Sequence, residues 1–304
     1  MEMAIKFSIV ITTYNRLEAL KYTLKSLSSL YQRDDVELLI CDDASTDGTP
    51  DYLRELYSSH RLLLNLEGKG YIFNRNRLNN LAQGDYIISL DDDANFLSDN
   101  SLAAIEDLFI NNPRCGLQAL RIFWGLESPK TLTHNASIEQ VRGFVGCGHV
   151  WRKTAWKQLP DYPEWFVFYG EEEFASYMLY KYHWKVLYNP NVLVHHRVSV
   201  KQRKTQKDYR IRLRRSLRSG WYLYGLFFPL REIPRRFLYT LWVQLKKKTF
   251  KGDVKATIGI FQALIDVLLH IPKLIKNSNR LTQKEFKLYQ ELPETKLFWY
   301  PNKD

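Results

Sequence analysis

Residues 7–16 read Phe-Ser-Ile-Val-Ile-Thr-Thr-Tyr-Asn-Arg, and residues 85–94 read Asp-Tyr-Ile-Ile-Ser-Leu-Asp-Asp-Asp-Ala. Each is a short apolar run, rich in β-branched residues, that stops abruptly in polar residues. Two more such runs, Val36–Cys41 and Arg61–Leu66, lie between them. Segments of helical period separate the runs. Leu17, Leu20, Leu24, Leu27 and Leu30 form one helix stripe over 17–30. Pro50 stands where a first helical turn begins, after the turn-forming DDASTDG of 42–48, and Tyr71–Ala82 reads as a helix stopped by Gly84. This alternation predicts an α/β fold of Rossmann type, a mostly parallel sheet with helices on both faces. Such sheets bind ligands beyond the carboxyl ends of their strands. Function is therefore expected in the loops Thr13–Arg16, Asp42–Thr49 and Asp91–Asn95.

The chain has 304 residues, 45% hydrophobic and 25% charged, which fits a soluble globular protein and excludes disorder and collagen-like repeats. Its three cysteines have no metal-type spacing and fit a reducing, cytoplasmic compartment. The apolar start, Phe7–Ile11, is too short for a signal-peptide core. No run of eighteen clean apolar residues occurs, so no ordinary spanning helix is expected. Charge is split unevenly. Residues 1–200 hold 20 Lys+Arg against 25 Asp+Glu, while residues 201–304 hold 24 against 8, a balance of +16. We therefore expect a catalytic unit over 1–205 and a basic helical region over 206–304. In the middle of the chain, Gly143–Gly148 is a small-residue stretch, Glu171–His183 reads as helix, and Leu187–Val194 reads as strand, followed by His195 and His196.

Four stretches can carry chemistry. In Glu37–Thr49 (ELLICDDASTDGT) a strand ends in two carboxylates, which can accept from a nucleobase or a ribose hydroxyl. Taken alone, Asp42, Asp43 and Asp47 read more simply as turn formers and a helix cap. In Leu90–Ala94 three consecutive carboxylates follow an apolar strand. Like charges so crowded cost stability unless a cation neutralises them, so a divalent metal site is preferred over a solvated turn. In Phe168–Phe174 (FYGEEEF) three glutamates open a helix, where the dipole alone would favour them. The neighbouring Trp165, Phe166, Phe168 and Tyr169 can desolvate one of them into a general base. In Asn191–Arg197 (NVLVHHR) an imidazole can complete a metal shell, although histidines at such positions are commonly structural.

Together, FSIVITTYNR, ELLICDDASTDGT, GYIFNRN, AQGDYIISLDDDA and YGEEEF, in this order over residues 5–200, resemble the family 2 inverting glycosyltransferases. That resemblance implies the A-type, nucleotide-sugar-binding glycosyltransferase fold and assigns roles. Thr12 and Tyr14 would contact uracil or thymine, with Tyr14 stacking on the base, and Asp43 would hydrogen-bond the pyrimidine. Arg75 and Asn76 would stand beside the donor pocket. Asp92 would lie near the ribose, and Asp93 would bind the Mn²⁺ or Mg²⁺ that bridges the diphosphate, with His195, or His196 beside it, a looser metal match. Glu172 would be the base, with Glu173 in competition because Phe174 stands where the family often has an acidic residue.

The implied reaction moves a hexosyl or deoxyhexosyl group, with inversion, from a UDP- or dTDP-sugar to a hydroxyl of a glycan or lipid-linked acceptor, as in cell-surface polysaccharide synthesis. The acceptor is expected near Gly143–Val150 and Trp124. A nucleotidyltransferase would carry a Gly-rich, basic loop after its first strand, which TTYNR is not. A nucleic-acid-binding protein is disfavoured because the basic tail is interleaved with apolar runs and holds no recognition motif. In the tail, Ala256–Ile271 has only Thr257, Gln262, Asp266 and His270 as polar residues, and lysines flank it on both sides. Residues 205–280 are thus expected to sit peripherally on an anionic inner membrane face without spanning it. Packing on the catalytic unit, or on a second subunit in a homodimer, is the competing reading.

Overall fold

The computed structural model describes residues 4–199 and 208–301. The chain begins with β1 (Phe7–Thr13), α1 (Leu17–Ser26), α2 (Ser28–Tyr31), β2 (Val36–Asp42), α3 (Thr49–Leu56), β3 (Arg61–Leu64), α4 (Tyr71–Leu81) and β4 (Tyr86–Asp91). All seven residues of β1 are buried, as a strand covered on both faces requires. β2 and β4 flank it in parallel, and β3 pairs in parallel with β2. The helix expected over 17–30 is interrupted at Leu27, whose N–H reaches back to Thr23 and Leu24, so it forms two pieces. Pro50 does open α3.

β5 (Ala94–Phe96), α5 (Ser101–Asn111), β6 (Cys115–Trp124), β7 (Glu139–Gln140), β8 (Gly148–Arg152), α6 (Lys153–Gln158), α7 (Glu171–Lys181) and β9 (Lys185–His196) complete the α/β unit. The sheet order is β3-β2-β1-β4-β8-β6-β9-β5, with β7 attached to β9. β8 and β5 run against their neighbours, and the other main strands are parallel. β9 extends beyond the Leu187–Val194 read from the sequence. Pro190 is accommodated at a register break, where Leu120 pairs with Asn189 but Arg121 pairs with Leu193.

Past the expected boundary at 205, which lies outside the described residues, come α8 (Tyr209–Phe227), α9 (Ile233–Lys247), α10 (Val254–Lys276) and α11 (Gln283–Glu291). Tyr222, Leu226 and Phe227 of α8 and Phe286 and Tyr289 of α11 join one core with Phe166, Phe174 and Tyr177. Tyr177 stacks on Phe227 at 4.8 Å. The helical region is therefore fused to the α/β unit along α7. α10 is also longer and more apolar than the sequence reading allowed. At 23 residues and mean hydropathy 1.7 it is long and apolar enough to cross a membrane.

Gly84 turns the chain from α4 into β4 directly against β1. Its N–H donates to Ser8 Oγ at 2.8 Å, and a Cβ there would lie 2.7 Å from the Phe7 and Ser8 backbone. Gly84→Ala should destabilise the protein by about 1–3 kcal/mol, read as a lower urea midpoint at unchanged m-value.

Candidate active site

The carboxyl ends of β1, β2 and β4 open on a cleft of ≈ 490 Å³. One wall belongs to the strand ends. Thr12 and Tyr14 line it, and Tyr14 is 58% exposed, so its ring face is available. The loop that carries Tyr14 is latched to the one after β2. Asn15 donates its N–H to Ser45 Oγ (2.8 Å), and Thr46 N–H donates to Asn15 Oδ1 (2.7 Å). Asp43 faces the cleft and accepts from the N–H groups of Lys69 (2.7 Å) and Gly70 (3.0 Å). Burial tends to raise its pKa, but those bonds and the Asn74 and Asn65 amides outweigh it and hold Asp43 below the usual carboxylate value.

The acidic triplet lies at the floor, where Asp91 ends β4, Asp92 and Asp93 occupy the turn that follows, and Asp91 and Asp92 line the cleft. Asp92 accepts from Thr13 Oγ1 (2.9 Å) and lies 3.4 Å from Arg16 Nε. Arg16 Nη2 also pairs with Asp93 at 2.5 Å. Burial pushes Asp92 up to about 7 against the pull of Arg16. Burial acts on Asp93 as well, but the bonds and charges of His196 and Arg16 prevail and lower it to about 2.

Asp91, Asp93 and His196 bring one ligand atom each within 4.8 Å of one another. His196 Nε2 is 3.1 Å from Asp93 and 3.9 Å from Asp91. Two carboxylates and an imidazole suit Mn²⁺ or Mg²⁺. This corrects the assignment of His195. Adjacent residues of β9 face opposite sides, so His195 turns away, its Nε2 2.8 Å from the Gly125 carbonyl and its ring 5.5 Å from Phe123.

Two further expectations change. Arg75 does not line the cleft. It is 1% exposed behind Asp91, bonded to it at 2.8 Å and to Ser89. Asn76 lies on the far face of α4, where its amide exchanges bonds of 2.9 and 3.0 Å with the Tyr162 backbone. Asn74, two positions earlier on that helix, is the one that reaches the cleft.

The opposite wall is the start of α7. Gly170 caps it at φ +88°, and Val167 and Tyr169 just before it also have positive φ, 68° and 72°. A β-branched residue in that region is strained, and such strain gathers at functional segments. The turn aims Glu171 and Glu172 into the cleft, while Glu173 is exposed outside it. Glu172 Oε1 accepts the Gly146 N–H at 2.7 Å. A Cβ on residue 146 would meet that oxygen at 2.6 Å and push the Glu172 carboxylate aside. Desolvation, then the charge of its glutamate neighbours, raises Glu172 well above an ordinary carboxylate, and burial takes Glu171 up to about 7. Phe168 and Tyr169 line the cleft as expected, but Trp165 and Phe166 turn into the core against Tyr222. Trp124, Val145 and Cys147 border the same space.

Arg16 and Arg212 at this cleft were not singled out from the sequence, whereas Asp91 was read as part of the acidic triplet and His196 as one of the His195-His196 pair. Arg212, on α8, reaches the cleft from the helical region through tertiary packing that no local pattern announces.

The α/β unit has the A-type glycosyltransferase fold. Residues 8–154 match the model for glycosyl transferase family 2. An 88-residue segment is 38% identical to the Escherichia coli UDP-Glc:alpha-D-GlcNAc-diphosphoundecaprenol beta-1,3-glucosyltransferase WfaP, covering 28% of this chain and 34% of the relative. Among solved structures, GalNAc-T7 with UDP, GalNAc and Mn²⁺ aligns with a TM-score of 0.63 at 14% identity, over 90% of this chain and 58% of that one. The mannosyltransferase PcManGT from Pyrobaculum calidifontis, in complex with GDP-Man and Mn²⁺, aligns at 0.55 and 15% identity, over 95% and 79%. Both establish the fold alone.

His196→Ala should weaken Mn²⁺-dependent UDP binding by about tenfold or more, measured by isothermal titration with and without the metal. His195→Ala should leave that affinity unchanged.

Proposed function

We propose that this protein transfers a sugar from a UDP-sugar to a hydroxyl of a lipid-linked glycan acceptor, with inversion, at the cytoplasmic face of a membrane. The observation that carries the reading is a cleft lined by Asp91 and His196, which gather with the buried Asp93, and by the Glu172 carboxylate. The UDP donor and the lipid-linked acceptor are favoured over dTDP and a free glycan by the activity for which the E. coli relative is named.

Asp91, Asp93 and His196 would hold Mn²⁺ or Mg²⁺, which when bound supplies positive charge to the departing diphosphate. Tyr14 offers its ring to the uracil, with Thr12 and Asp43 at the base edge. Asp43 is ionised and accepts from uracil N–H with lone pairs that Lys69 and Gly70 leave free. Asp92 faces the ribose. Arg212 brings a fixed cation to the phosphate end.

The acceptor hydroxyl then attacks the anomeric carbon. The new C–O bond forms as the bond to the diphosphate oxygen breaks, and that oxygen keeps the electron pair. Glu172 takes the hydroxyl proton, held in line by the Gly146 N–H. Its partial burial raises its basicity toward that task. Glu173 faces solvent outside the cleft, which favours Glu172 as the base.

Glu172→Gln should lower kcat by about 10²–10⁴-fold while UDP affinity is kept, and Glu173→Gln should remain active. The pH profile follows from the sign of the shift. A base with a raised pKa loses its ionised form as pH falls through that raised value. The acid limb of kcat should therefore lie well above ~4.3, the ordinary Glu value, and disappear from the residual rate of Glu172→Gln. Gly146→Ala should lose turnover without losing UDP, because its methyl group displaces Glu172. A Glu172→Gln enzyme of normal kcat would remove the glutamate from the mechanism.

A further inference from the structure

The face that α10 turns to the protein carries Ala256, Gly259, Ile260, Ala263, Asp266 and Leu274, all buried, so a carboxylate sits there among apolar and small residues. Asp266 pairs with Arg214 at 2.5 Å and lies 3.5 Å from Arg218, and His270 on the same stripe bonds Tyr222 at 3.0 Å. The face it turns to solvent is Ile258, Phe261, Ile265, Leu268, Leu269 and Ile275, with Leu268 65% and Leu269 72% exposed. A soluble helix places these residues the other way round.

The apolar face continues onto α9, which has no buried residue and exposes Leu238, Tyr239 and Trp242. Phe250, in the turn between the helices, stands 5.9 Å from Trp242 and joins the two faces. Around this surface lie Lys246, Lys247, Lys251 and Lys255 at one end and Lys276 at the other, all exposed. None of the five has a carboxylate partner among the described residues. An exposed apolar patch of this extent marks an interaction surface.

We propose that the α9–α10 face is a monotopic membrane-docking surface that enters one leaflet of an anionic phospholipid bilayer. The lysines at its ends meet the headgroups and its apolar residues reach the acyl boundary. Two features favour lipid over a second copy of the chain. A two-fold interface would set the same patch against itself and bring the unpaired lysine clusters into one contact. A flat apolar surface with basic ends also matches the depth profile of a leaflet, apolar inside and anionic outside.

The length of α10 does not make it a spanning helix. To cross the bilayer it would have to leave α8, carrying Asp266 into hydrocarbon and stripping Arg214 and Arg218 of their partner. The buried ion pair therefore holds the helix flat on the enzyme. This inference does not depend on the sugar-transfer reading, because it rests on residues remote from the cleft.

The test is co-flotation of the full chain with vesicles of about 30% phosphatidylglycerol in phosphatidylcholine, and with phosphatidylcholine alone. Binding is expected to the anionic vesicles and to weaken about tenfold or more between about 50 and about 500 mM salt. Phe261→Glu/Leu268→Glu should abolish it with the thermal melt and UDP affinity unchanged, and Lys246→Gln/Lys247→Gln/Lys251→Gln should weaken it. Failure to bind anionic vesicles would overturn the proposal. So would salt-independent binding that resists alkaline extraction, which means spanning. A light-scattering mass of two chains that Phe261→Glu/Leu268→Glu reduces to one, without vesicle binding, would assign the face to a dimer.

Discussion

Everything at the functional edge of this sheet follows from three carboxylates on consecutive residues. Two unit charges about 4 Å apart repel by about 4 kcal/mol at an effective dielectric near 20. Asp92 and Asp93 are both largely withdrawn from water, so the repulsion must be met locally. The fold meets it from three directions. Arg16 comes from the loop after β1, Arg75 from α4 behind β4, and His196 from the end of β9. These residues are separated by as much as 180 positions in sequence, yet each sits where a strand or helix delivers it to the same sheet edge. The sheet thus creates a site of concentrated negative charge and surrounds it with two arginines and an imidazole. That is the electrostatic setting in which a hard divalent ion and a diphosphate bind together.

The second wall depends on the helical region. Phe166 and Gly170, which set up the turn into α7, are held from below by α8. Arg218 donates to the Phe166 carbonyl at 2.6 Å, and a Cβ on Gly170 would meet Ser219 Cβ at 2.9 Å. Glu172 owes its aim to that turn and to the Gly146 N–H. The basic region is thus a structural support of the segment that carries Glu172, and its Arg212, paired with Asp208 at 2.6 Å, lines the cleft.

The first four strands and their helices were legible because each element has a clean period and is bounded by turn residues. Leu17–Leu30 lost its single-helix reading at Leu27, where the stripe continues but the backbone does not. The acidic triplet was read from the sequence as a metal site, but which of its members gather with an imidazole depends on the turn after β4 and on the approach of β9. Strand alternation separates His196 from His195. Asn74 and Asn76 differ by about half a helical turn, and only packing shows which one faces the cleft. The link between α8 and the site is a contact between segments some fifty residues apart with no periodic signature.

The polar stripe of α10 was visible in the sequence as Gln262, Asp266 and His270 on one side of an apolar helix. Such a stripe is normally assigned to solvent. Here it faces inward because α8 presents Arg214, Arg218 and Tyr222, and a buried carboxylate is stable only with partners of that kind. Once the charge is satisfied inside, the remaining faces of a strongly apolar helix have nowhere to go but out. The same arginine-rich helix that steadies the turn into α7 therefore also dictates which side of α10 is exposed. Catalytic geometry and surface chemistry are coupled through α8: its basic residues serve the cleft at one point and Asp266 at another.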